Sequence, residues 1–98
     1  MIKHLEKDNL EELVKDDFTI VDFYADWCGP CKMLAPILES LNDLNIIKVN
    51  IDEFRDLAIK YGIMSVPTMI FYKNGSEVGK ETGFRSKEEL ESIVKRLN

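Results

Sequence analysis

Along the chain the apolar positions change their spacing several times, and each change marks an element. "FTIVDFY" (Phe18–Tyr24) is β-branched, aromatic and almost wholly apolar, which predicts a strand covered on both faces. "NIIKVNI", residues 45–51, repeats that signature, and a shorter strand is expected over residues 2–5. Between these lie two helical stretches. In "DNLEELV", Asp8 stands as an N-cap with Glu11 three positions on, and Leu10, Leu13 and Val14 share a face. Met33, Leu34, Ile37, Leu38 and Leu41 then recur at helical spacing, with Pro36 inside the pattern, where it removes a backbone hydrogen bond and should kink the helix. Phe54, Leu57, Ala58 and Tyr61 mark another helix that Gly62 can end. "TMIFYKNGSEV" reads as two strands turning at Asn74-Gly75, and Ser86 with Glu89 forms a capping box ahead of Leu90, Ile93, Val94 and Leu97. The order β-α-β-α-β-α-β-β-α places the chain in the α/β class, a mixed sheet of about five strands with four helices covering both faces.

At 98 residues the chain is expected to form one domain, 1–98, without repeats or linkers. A net charge of −5 with no basic cluster argues against nucleic acid as a partner. The first twenty residues lack a basic region followed by an apolar one, and no apolar run approaches the roughly 20 residues of a membrane span. The expectation is a cytoplasmic monomer without a membrane partner.

The chemistry lies in "ADWCGPCKMLAP", residues 25–36, which holds the only two cysteines, Cys28 and Cys31, at a strand-to-helix junction. As a structural staple the pair would be poor, because closing a loop of about four residues gains only ~2 kcal/mol by the entropic formula. A structural zinc site wants four S or N ligands, and beyond the cysteines the chain offers one histidine, His4. A c-type haem site needs a histidine after the second cysteine, where Lys32 stands. Redox use remains, and no metal or bound cofactor is expected. At a helix N-terminus, unsatisfied N–H groups favour a thiolate on Cys28, so that thiol should ionise more readily than a free one. Cys31, one turn on, is placed to resolve a mixed disulfide. Two charges interrupt apolar strands, Asp22 and Lys48. A buried carboxylate is costly unless paired or protonated, which makes Asp22 a candidate proton carrier; the plainer alternative is that both sit solvated at strand ends.

The whole chain resembles the thioredoxin family. Trp27 precedes the cysteines, Gly29 and Pro30 lie between them and Lys32 follows, while "KVNIDE", Val66-Pro67-Thr68 and "GFRSKEEL" recur downstream. Two departures stand out: the stretch between Pro36 and Lys48 is shorter than usual, and Tyr24 takes a place often filled by tryptophan. The resemblance implies a thioredoxin fold and a dithiol-disulfide oxidoreductase. In it Cys28 is the nucleophile, Cys31 the resolving thiol, Asp22 the buried acceptor of the Cys31 proton and Lys48 its charge partner. It also implies a cis Val66-Pro67 bond facing the disulfide, and an apolar patch of Trp27, Gly29, Pro30, Val66, Pro67, Gly83 and Phe84 around an exposed sulfur, with Phe84 narrowing access. Implied partners are a thioredoxin reductase and oxidised substrate proteins. An oxidant or isomerase of the same fold would be expected to carry histidine in place of Pro30, and a non-catalytic binding module would have no use for both thiols. His4, far in sequence from this cluster, reads as a surface histidine.

Overall fold

A computed structural model describes residues 1–98. Its elements are β1 (Ile2–His4), α1 (Leu10–Leu13), β2 (Phe18–Tyr24), α2 (Gly29–Ser40), β3 (Asn45–Asn50), α3 (Arg55–Lys60), β4 (Thr68–Lys73), β5 (Ser76–Thr82) and α4 (Lys87–Leu97). The strands form one sheet in the order β1-β3-β2-β4-β5. β1, β3 and β2 run parallel, and β4 and β5 are antiparallel to their neighbours, so the expected mixed sheet of five strands is present.

Each face of the sheet carries its own core. Val21, Phe23, Val49 and Ile70 pack with Leu10 of α1 and Leu57 of α3 on one side. Ile20, Ile46, Met69 and Phe71 pack with Leu34 and Leu38 of α2 and with Leu90 and Ile93 of α4 on the other. β2 lies at the centre of the sheet and is buried on both faces from Phe18 to Phe23, as its mostly apolar run, interrupted at Thr19 and Asp22, leads one to expect.

The ends of the elements follow local chemistry. Ser86 accepts from the Glu89 N–H, and the Glu89 carboxylate accepts from the Ser86 N–H, which completes the capping box of α4. α3 closes at Gly62, whose φ of +68° lets its N–H reach the Ile59 carbonyl while the Ile63 N–H reaches that of Ala58. The hairpin turns at Asn74 and Gly75, both at positive φ.

Three local expectations need correction. The residue capping α1 is Asn9, not Asp8, and it makes no side-chain cap hydrogen bond, because the helix is a single turn held by Leu10 in the core. β1 ends at His4, although the Leu5 N–H still bonds to the Lys48 carbonyl. Met33 is 60% exposed: it follows Lys32 on the outer side of α2, whose buried positions are Cys31, Leu34 and Leu38. α2 itself continues through Pro36.

Candidate active site

The site forms at the carboxyl ends of the parallel strands β2 and β3, where open α/β sheets present their crevices. A depression of about 390 Å³ among Asp17, Asn45, Lys73 and Asn98 opens at the other end of those strands and holds neither cysteine.

Leaving β2, the chain crosses Ala25, Asp26 and Trp27 and enters α2 with Cys28 as the N-cap. Cys28 has extended backbone, and its sulfur accepts a hydrogen bond from the Cys31 N–H at 3.2 Å. In most proteins a hydroxyl or carboxylate fills this role at a helix start; here a sulfur does, one turn before its partner. Gly29 and Pro30 make the first two helical positions, where a proline's missing N–H is not needed. Cys28 and Cys31 are joined as a disulfide with their Cα atoms 5.2 Å apart.

The apolar setting of the sulfurs is built from Ala25, Tyr24, Ile51 and Val66. The Val66-Pro67 bond is cis, and the Val66 carbonyl oxygen lies 3.6 Å from Cys28 Sγ. The disulfide has no proton to place in that contact, but a Cys28 thiol would. The buried Pro67 is tied to the next loop by the Gly83 N–H, which donates to its carbonyl at 2.8 Å. Gly83 holds φ at +94°, a conformation that side chains disfavour. Phe84 is half-buried and packs against the core beneath α4.

Little of either cysteine reaches the surface: Cys28 is 5% exposed and Cys31 4%. Exposure therefore does not tell the two apart, and their positions at the helix start do. What reaches solvent is Trp27, 68% exposed. Its indole Nε1–H donates to Asp52 Oδ2 at 2.8 Å. The loop carrying Asp52 is itself folded around Asn50, whose side-chain oxygen accepts from the Asp52 and Glu53 N–H groups. Asp52 was not foreseen from sequence. The usable signal is register: Tyr24 and Asn50 are paired at the ends of adjacent parallel strands, so residues just beyond them meet.

An Asp52→Ala variant should free this indole, the chain's only tryptophan. Its emission should change, and KM for a protein disulfide should rise roughly 2- to 10-fold, the worth of one hydrogen bond. Thiol reduction of the isolated disulfide should be unaffected. Unchanged emission and KM would show that the indole is held by other contacts.

Behind the disulfide, Asp22 lies at the centre of the sheet, opposite Lys48 on β3 and Met69 on β4. Its carboxyl is 1% exposed, Oδ2 is 3.9 Å from Lys48 Nζ, and Oδ1 has no hydrogen-bond partner. Burial pushes the Asp22 pKa up to about 6, against the opposing pull of the Lys48 ammonium. The alternative of two solvated strand-end charges is excluded for Asp22, and Lys48 is nearly enclosed. A pocket of about 330 Å³ opens beside this pair, lined by Cys31, Tyr24, Lys48, Ala35 and, from the edge strand β1, His4.

Comparison with known proteins agrees with this geometry. The family model described as Thioredoxin matches residues 1–96. The thioredoxin of Bacillus subtilis is 45% identical over 82 residues, covering 79% of each chain. That of Staphylococcus saprophyticus is 41% identical over 93 residues, covering 90% of this chain and 89% of its own. Among solved structures, reduced Schistosoma mansoni thioredoxin superposes with a TM-score of 0.88 at 36% identity, covering 99% of this chain and 98% of that one.

Proposed function

The chain belongs to the thioredoxin family and is a dithiol-disulfide oxidoreductase; on that premise we propose how its residues divide the reaction, and in which direction it runs. In the reduced protein the Cys28 thiolate attacks one sulfur of a substrate disulfide. A mixed disulfide forms, and the substrate's other sulfur leaves as a thiolate. Cys31 gives its proton to Asp22, attacks Cys28 Sγ and displaces the second substrate thiolate. The substrate has then gained two electrons, and the protein holds the Cys28–Cys31 disulfide. Lys48 limits the rise of the Asp22 pKa, keeping the carboxylate available near neutral pH. Trp27, Gly29, Pro30, Val66, Pro67, Gly83 and Phe84 surround the reacting sulfur as the docking face, and Lys32 closes the motif. A thioredoxin reductase returns the two electrons, and the work takes place in the cytoplasm, where thiols are kept reduced.

The observation that carries this reading is the Cys31 N–H aimed at Cys28 Sγ from the first turn of α2. A helix start adds partial positive charge to that hydrogen bond, so Cys28 is the sulfur best supported as an anion. Pro30 adds no further charge beside it, which favours a reductant over an oxidant. Equilibration with glutathione should therefore give a potential near about −270 mV, the value typical of thioredoxins, and not the about −180 mV of protein disulfide isomerase. The difference corresponds to ~4 kcal/mol for two electrons. A value close to the isomerase figure would assign the chain to disulfide formation or shuffling instead.

A further inference from the structure

His4, Lys48 and Asp22 occupy one row across β1, β3 and β2, each directly opposite the next. Tyr24, two residues after Asp22 on the same strand, turns its side chain to the same face. Its ring lies under the Lys48 ammonium, which is 4.5 Å from the ring centroid, and its hydroxyl is 3.3 Å from His4 Nδ1. Thus Tyr24 touches both of the basic residues in the row.

We propose that Tyr24 is a positioning residue for the redox reaction: its ring holds Lys48 against Asp22 at the wall of the pocket that Cys31 also lines. Lysine is a compact charge on a flexible four-carbon stem, and its contact with Asp22, at 3.9 Å, is longer than a hydrogen bond. The ion pair alone therefore fixes the ammonium poorly. Two exposed carboxylates, Asp26 and Glu39, line the same pocket and would draw a freed ammonium outward. A cation over an aromatic face is attracted to it, most strongly where water is partly excluded. Tyr24 supplies that second hold, and His4 fixes the Tyr24 hydroxyl. The charged groups facing the cluster are His4 from β1, Asp26 after β2, Lys32 and Glu39 from α2, Lys48 from β3 and Glu53 beyond it. β4 contributes only Met69 opposite Asp22.

The kinetic consequence rests on Asp22 being the proton acceptor, but the positioning does not, and the test separates the two. The Asp22 carboxyl is titrated directly by carbon NMR in the oxidised protein, and the rate of mixed-disulfide resolution is followed against pH. Tyr24→Leu should raise the Asp22 midpoint by roughly half a pH unit, since Lys48 then opposes its protonation less. Tyr24→Phe keeps the ring and should leave the midpoint near wild type. In a Lys48→Met background the Leu exchange should no longer raise it. A lowered midpoint in Tyr24→Leu would mean that the ring acts by keeping water from Asp22, and would overturn the proposal. So would an upward shift that persists without Lys48, or one as large in Tyr24→Phe as in Tyr24→Leu. If the midpoint moves as expected while the acidic limb of the resolution rate does not, the positioning stands and the proton-acceptor role falls.

Discussion

Cys28→Ser should abolish disulfide reduction, whereas Cys31→Ser should capture substrates and fail to release them. The asymmetry follows from the start of α2. Only Cys28 sits at the N-cap with a main-chain N–H directed at its sulfur, and the proposed division of roles has it carry the negative charge and open the reaction for that reason. Reduction of insulin by dithiothreitol should fall to the uncatalysed rate in both variants. Mass spectrometry under non-reducing conditions separates them: Cys31→Ser should accumulate as an adduct on Cys28, and Cys28→Ser should not accumulate one. Equal trapping by the two variants would reverse or erase the division of roles.

Asp22→Asn should give a protein that is more stable at neutral pH and slower in its second chemical step. The folded pKa of about 6 lies above the ordinary carboxylate value of 3.8. A raised acid contributes its full stability below the unfolded pKa and loses it as the pH climbs through the folded one. Above pH 6 the ionised group therefore costs about 3 kcal/mol, from a separation of ~2.2 pKa units at ~1.36 kcal/mol each. An amide removes that cost but leaves Lys48 without its carboxylate, so a net gain of about 1 to 3 kcal/mol is expected at pH 7.5. The gain should vanish near pH 4, where folded wild type is also uncharged at this position. Urea denaturation at both pH values measures it. Resolution of a mixed disulfide should slow by roughly two orders of magnitude at pH 7, the usual worth of a positioned base. A destabilised variant with wild-type resolution would make Asp22 a structural acid.

Much of this architecture is legible in the sequence, for reasons visible in particular residues. β2 and β3 announce themselves because strands buried on both faces must be apolar throughout, and Asp22 and Lys48 are conspicuous because they break that rule. The cysteine block carries its own local geometry, since a helix start, a proline in its first turn and two thiols one turn apart are set by nearby residues. What sequence did not reveal depends on long-range register. His4 is a surface residue, as its sequence position suggests, but nothing local shows that β1 lies beside β3 with His4 opposite Lys48. Asp52 likewise meets Trp27 only after β2 and β3 are aligned. Met33 departs from its spacing because helical periodicity identifies a stripe but not its edge, and one step past that edge a methionine stands in water. The nearly complete enclosure of Cys28 required the Val66 loop, which arrives from almost forty residues away.

The hydrogen bond from the Cys31 N–H to Cys28 Sγ is already made in the disulfide, before either sulfur bears a charge. When the bond opens, a thiolate at Cys28 finds its solvation in place, supplied by a main-chain dipole that the helix holds still. Little reorganisation of protein or water need accompany the arrival of two electrons, because the polar environment of the product is built into the reactant. The two redox states can then share one backbone at this corner of the molecule, and the same surface can meet an electron donor while oxidised and an electron acceptor while reduced. On the proposed reading, in which the chain alternates between an electron donor and an electron acceptor, a stationary docking face allows each exchange to begin without a conformational search.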